Sequence, residues 1–377
     1  MISKQTMRFL WLTLAWLLSV SATAAPTGIA SRAWVVVDQT SGRELASHQP
    51  DLPLAPASLT QLMTAYVLLG DIRRNALRLD AEVRVPDAVA EADGARVFLK
   101  PGERVRVDTL LRAVLVQSAS DATVTLVTAT DGSEAAFVER MNREAARLGM
   151  KRTRFVNATG LAQPGHVSSA RDLALLGRAL LRDHPAQQAL FAQKELTLDG
   201  LTYYNANRLL WRDATVTGLK VGRNPESGYS AVASAQRGEQ RRVAVVLGAR
   251  SDAQRTQDAL RLLNYGFEKF DSVLLYRARQ PVKVVKLYRG ARQSVSIGFE
   301  RDFHLLAPRG SLPRVKAQVV TQRPIVAPIH KGQRIGLLRL TLDGKPLGDH
   351  PLIALHDVAV AGIFGRGWDS LRLLFDQ

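Results

Sequence analysis

Leu54–Leu69 constrains this chain more than any other stretch. It reads Leu-Ala-Pro-Ala-Ser-Leu-Thr-Gln-Leu-Met-Thr-Ala-Tyr-Val-Leu-Leu. Ala55 and Pro56 stop an extended segment. Leu59, Leu62, Met63, Tyr66, Val67, Leu68 and Leu69 then follow at helical spacing, so a buried helix begins at Ser58. Free backbone N–H groups point outward at such a helix start, and the helix dipole favours a developing negative charge there. Two roles fit Ser58: a helix cap, or a hydroxyl placed to accept an acyl group.

The chain has 377 residues, 46% of them hydrophobic and 23% charged. That suits one large soluble domain with a smaller companion. Lys4 and Arg8 precede an apolar run from Phe9 to Val20, and Ala22-Thr23-Ala24 offers a small-residue cleavage site. This is the pattern of an export signal over residues 1–24, too short to span a bilayer comfortably. The sequence holds no cysteine, which excludes disulfides, thiolate catalysis and Cys-ligated metals. Net charge is +17, or +15 without Lys4 and Arg8. An exported protein has little access to nucleic acid, so anionic lipid headgroups and wall polymers are the partners this charge suits. A generally basic surface with no specific target fits equally well.

Ala33–Asp38 and Arg43–His48 read as a hairpin turned at Thr40-Ser41-Gly42. It leads through Pro53 and Pro56 to the Ser58 helix. A helix from Asp108, apolar at Leu110, Leu111, Val114 and Leu115, is followed by Ser118-Ala119-Ser120-Asp121. Further helices are expected over Phe137–Gly149 and Leu173–Leu181, with the loop Phe155–Leu161 and His166 between them. Thr215–Ala235 carries Lys220-Val221-Gly222, Arg242–Gly248 is another strand, and Ala259–Phe270 a closing helix.

Read together, these segments resemble the low-molecular-mass penicillin-binding proteins, the serine D-alanyl-D-alanine carboxypeptidases. The likeness runs over roughly residues 30–377. It implies a mixed α+β, penicillin-recognising fold, in which an antiparallel sheet and a helical subdomain fill residues 25–276. A small β-sandwich-like domain follows over 277–357, with strands expected at Val282–Tyr288, Ser294–Ile297, Phe303–Ala307, Val315–Val320 and Arg334–Leu342. Residues 358–377 read as an amphipathic helix with Phe364, Trp368, Leu371 and Phe375 on one stripe. Such a stripe suits a membrane interface, as in the anchors of these carboxypeptidases, or docking on the β-domain. The implied address is the periplasm, on the outer face of the inner membrane.

The family's chemistry rests on Ser-x-x-Lys, Ser-x-Asn and Lys-Thr-Gly. Here these read Ser58-Leu-Thr-Gln61, Ser118-Ala-Ser120 and Lys220-Val221-Gly222. By resemblance Ser58 is the nucleophile, and Gln61, Ser118 and Lys220 complete the catalytic set. Ser120, Val221 and Gly222 line the substrate. An amide at Gln61 neither takes nor gives a proton near neutral pH, though it can hold Ser58 by a hydrogen bond. Ser120 is shorter than the usual Asn. Val221 lacks the hydroxyl that would meet the substrate carboxylate, a loss of about 1.5–3 kcal/mol. Yet core periodicity, glycines and export signal are all kept.

The expectation is a folded homologue that binds peptidoglycan peptide stems with acylation severely weakened. The alternative is an active carboxypeptidase in which Lys220 and Ser118 move the proton, with an oxyanion hole from the backbone N–H groups of Ser58 and the strand after Lys220. β-Lactams bind covalently if acylation persists, but no deacylating base for a β-lactamase is evident. His166 has no evident carboxylate partner and reads as structural or solvent-facing. No phosphate loop or His/Glu metal pattern occurs, so neither cofactor nor metal is expected.

Overall fold

Ala33–Asp38 (β1) is buried at every position, as a strand must be when both faces of its sheet are covered. The computed structural model, which describes residues 25–321 and 324–362, shows what covers them. β1 lies between Glu44–His48 (β2) and the Gln240–Ala249 strand, followed outward by Gly228–Arg237 and Val216–Asn224, every pairing antiparallel. Successive side chains point to opposite faces. Ala33, Val35 and Val37 join the helices Thr60–Arg73 (α1) and Ala170–Asp183 (α5) in one core. Trp34 and Val36 join Ala259, Leu262 and Leu263 of the closing helix, Asp252–Lys269, in the other.

α1 is sheathed on every side: residues 60–71 are all buried. Most of its polar groups are therefore tied. Thr64 Oγ1 donates to the Ala158 carbonyl, and Asp71 accepts from Arg74 and Arg140. Val107–Val116 (α2), Ser120–Asp131 (α3) and Glu134–Leu148 (α4) pack around it as the helical subdomain. α4 ends at Gly149 in the left-handed conformation, φ 81°, a usual helix stop.

Phe270–Tyr276 follows the closing helix at once and pairs with Phe303–Pro308. A five-stranded antiparallel sheet holds Pro281–Lys286, Ser294–Gly298, Lys345–Ala354, Arg334–Leu342 and Val315–Thr321 in that order. Both sheets feed one small core around Ile297, Leu305, Leu338 and Leu352. The mixed α+β architecture with a C-terminal β-domain is thus the one the resemblance implies. Lys345–Ala354 is a strand beyond those read from the sequence, its signal broken by Pro346, Gly348 and Pro351. The export signal (residues 1–24) and the apolar stripe Phe364–Phe375 lie outside the described residues. Among the described residues no helix is long and apolar enough to cross a membrane.

Candidate active site

Ser58 occupies a single 3₁₀ turn, Ala57–Leu59, that runs directly into α1. No side chain caps either element, so the hydroxyl is not spent on the helix N-terminus. Ala57 is held at φ 51°, an unusual conformation for a residue with a Cβ. Two close approaches secure the turn. A Cβ added at Gly160 would fall 2.1 Å from the Ala57 carbonyl oxygen and 2.9 Å from Ser58 N. One added at Gly222 would fall 3.1 Å from Ser58 N. The Asn157–Gly160 turn, in which Asn157 Oδ1 accepts from Gly160 N–H at 2.7 Å, and the Val216–Asn224 strand therefore grip the serine from two sides. The strand brings Gly222 against the backbone N–H of Ser58, the neighbourhood in which an oxyanion hole is expected.

Lys220 is 3% exposed. Its Nζ donates to Ser118 Oγ at 2.6 Å and to the Leu115 carbonyl at 3.2 Å. Burial lowers its pKa to about 7, because the charged form loses hydration that two hydrogen bonds only partly replace. Ser118 itself sits at φ 61° in the turn between α2 and α3.

Gln61 is fully buried. The sequence leaves its amide able to hold Ser58 by a hydrogen bond, and the structure turns it elsewhere. Its Nε2 donates instead to the Ser118 carbonyl at 3.1 Å and to Thr123 Oγ1 at 3.3 Å, while Oε1 is buried without a partner. The amide follows the available acceptors, which lie toward α3. Among the described residues no side chain hydrogen-bonds the Ser58 hydroxyl. Ser120 opens α3, its N–H bonded to the Ala95 carbonyl at 2.7 Å. It borders a cavity of about 610 Å³ shared with Thr123, Glu134, Asn157 and Leu161. Val221 is buried on the strand and offers only methyl groups.

His166 is buried rather than solvent-facing. Its Nδ1 accepts from Val156 N–H at 3.4 Å, which leaves Nε2–H to donate to Thr60 Oγ1 at 2.7 Å. Burial holds its pKa down at about 4, so the ring is neutral and structural. Among the described residues no group of three His, Cys, Asp or Glu side chains could hold a metal ion.

Several supporting residues escaped the sequence reading. Thr123 receives the Gln61 amide, Glu134 accepts from Ala158 N–H at 2.8 Å, and buried Arg255 reaches the Gly222 carbonyl at 3.4 Å. Only the Asn-Ala-Thr-Gly run pointed to any of them. The Arg255 contact joins residues 33 positions apart and leaves no local mark.

Residues 19–251 match the D-alanyl-D-alanine carboxypeptidase family model. Residues 270–360 match the C-terminal domain of penicillin-binding protein 5. The D-alanyl-D-alanine carboxypeptidase DacC of Escherichia coli is 36% identical over 377 residues, 98% of this chain and 94% of its own length. DacA of the same organism is 34% identical over 355 residues, 92% of this chain and 88% of its own. Penicillin-binding protein 5 of Haemophilus influenzae superposes with a TM-score of 0.86 at 32% identity, covering 89% of this chain and 100% of that one. The chain therefore belongs to the D-alanyl-D-alanine carboxypeptidase family of low-molecular-mass penicillin-binding proteins.

Proposed function

We propose that this carboxypeptidase homologue binds the peptide stems of peptidoglycan while its own acylation chemistry is severely impaired. One observation carries the reading. The buried side chain one helical turn beyond Ser58 is an amide turned toward Ser118 and Thr123, so among the described residues no proton acceptor is bonded to the nucleophile. Loss of a general base costs about 10²–10⁴ in rate. Ser120 and Val221 remove two further polar contacts to substrate, whereas the cavity beside Ser120 stays open to a ligand.

A second reading rests on Lys220. Its amine is poised near neutrality and bonded to Ser118 Oγ, which favours a residual proton route to Ser58. A penicillin carrying a fluorophore separates the two. The first reading expects no covalent band from the mature protein and retained binding to peptidoglycan sacculi. A band abolished by Ser58→Ala supports the second. The triple change Gln61→Lys, Ser120→Asn, Val221→Thr restores labelling if the scaffold is intact, and silence from that folded variant overturns the motif-loss explanation.

The same reading places the protein in the periplasm, held on the outer face of the inner membrane by residues 358–377. Deleting 362–377 then releases it from sedimented membranes. Unchanged sedimentation removes the anchor.

A further inference from the structure

The far end of α1 meets α4 in a groove of about 500 Å³ that the catalytic motifs do not touch. Tyr66 and Gly70 floor it, eight and twelve residues after Ser58, which is roughly 12 and 18 Å along the helix. Five arginines line it: Arg73 and Arg74 at the C-terminal end of α1, and Arg140, Arg143 and Arg147 from one face of α4. So many like charges on facing helices repel unless something answers them.

Three of the five are answered within the protein. Arg140 lies between Asp71 and Asp131, at 2.7 and 2.6 Å. Arg74 shares Asp71 at 2.6 Å. Arg147 donates to Tyr66 Oη at 2.6 Å and to Glu144 at 2.7 Å. The other two are not. Arg73 has no ion pair or hydrogen bond among the described residues. Arg143 faces only Glu139, at 3.6 Å with side chains 66% and 75% exposed, an arrangement worth little in water. Asp183, also near the groove, is held by Arg182 and Tyr66.

A second feature points the same way. His184 borders the groove, is only 2% exposed and stands edge-on to Tyr66. Neither ring nitrogen has a hydrogen-bond partner among the described residues. With no partner in the protein, the ring N–H is free to donate to a group that enters the groove.

We propose that this groove is an anion site for a phosphate group, gripped by Arg73 and Arg143, with the His184 N–H as a neutral donor and Arg140 and Arg147 as fixed walls. A carboxylate is satisfied by one planar guanidinium fork, whereas a groove lined by guanidiniums from two helices, its one acid among the described residues, Glu144, already held by Arg147, suits a tetrahedral acceptor. Phosphate of this kind comes from a lipid headgroup or from a soluble phosphate compound. The site is independent of whether Ser58 acylates.

The test compares the mature chain with its Arg73→Ser/Arg143→Ser variant. Both side chains are exposed, and circular dichroism and melting verify that the variant folds. Inorganic phosphate and pyrophosphate are titrated calorimetrically against chloride of equal ionic strength. Vesicles of phosphatidylcholine with and without phosphatidic acid are tested by co-sedimentation. Both proteins keep residues 363–377, so a difference between them reports the groove. A soluble-phosphate site shows binding weakened roughly tenfold or more in the variant. A headgroup site shows that loss only with phosphatidic acid vesicles. In either case the His184 ring resonance, assigned by its absence in His184→Phe, shifts with phosphate or phosphatidic acid in the parent alone. No binding in any arm, or binding equal in parent and variant, overturns the proposal.

Discussion

An amide and an amine at position 61 differ in more than basicity. Gln61 Nε2 makes two donor bonds that hold α1 to the Ser118 turn and to α3, and its carbonyl oxygen is left buried and unpaired. A lysine there gives Ser58 a base but buries a second amine near Lys220, which also bonds Ser118. Gln61→Lys alone is therefore predicted to raise penicillin acylation by about 10²-fold or more, and to lower the denaturant midpoint. A folded Gln61→Lys protein with unchanged labelling would mean that Ser58 itself is misplaced. The sequence showed which side chains stand at the three motifs, because their order and spacing are linear information. It did not show where the Gln61 amide turns, because that depends on Thr123, brought close only by packing of α3 on α1.

A fully buried ion pair between two strands of the sheet also reaches the closing helix. Arg242 and Asp38 meet at 2.5 Å with both side chains fully buried, and the same guanidinium donates to the carbonyls of Gly266 and Phe270. Arg242→Leu removes the cation from Asp38, leaving its carboxylate only the Ser41 donors, strands two carbonyls, and is predicted to cost roughly 3–5 kcal/mol by urea unfolding. A loss below about 1 kcal/mol would mean that water reaches the carboxylate. The strands around this pair were legible because β1 and its neighbour are apolar runs of strand length with clear turns. Lys345–Ala354 was not, since two prolines and a glycine interrupt its alternation and only pairing with Arg334–Leu342 makes it a strand. The arginine groove was equally hidden. Arg140, Arg143 and Arg147 read as the solvated face of an amphipathic helix until α1 is laid against them.

Three buried bases bind fewer protons in the folded chain than their ordinary chemistry dictates, and together they shape its response to pH. His166 and His184 are held near 4 against an ordinary 6.5, burial being the main cause for both and Arg73 adding to it at His184. Unfolded, both rings take up a proton as pH drops through 6.5; folded, they resist until about 4. Stability is thus lost across that interval on acidification. Lys220, lowered by burial to about 7 from 10.5, acts the same way at higher pH: the unfolded chain holds the proton more tightly, so stability climbs as pH rises from 7 toward 10.5. Melting temperatures measured from pH 4 to 10 should therefore show two separable limbs. His166→Gln, whose amide can still donate to Thr60, should flatten part of the acid limb. Lys220→Met should flatten the alkaline one. If His166→Gln leaves the slope between pH 6.5 and 4 unchanged, the ring is already protonated in the fold, and its neutral, structural role against Thr60 is wrong. If Lys220→Met leaves the alkaline slope intact, the amine is charged at neutral pH. The residual proton route through Ser118 would then lose its base, and the impaired reading of the site would stand alone.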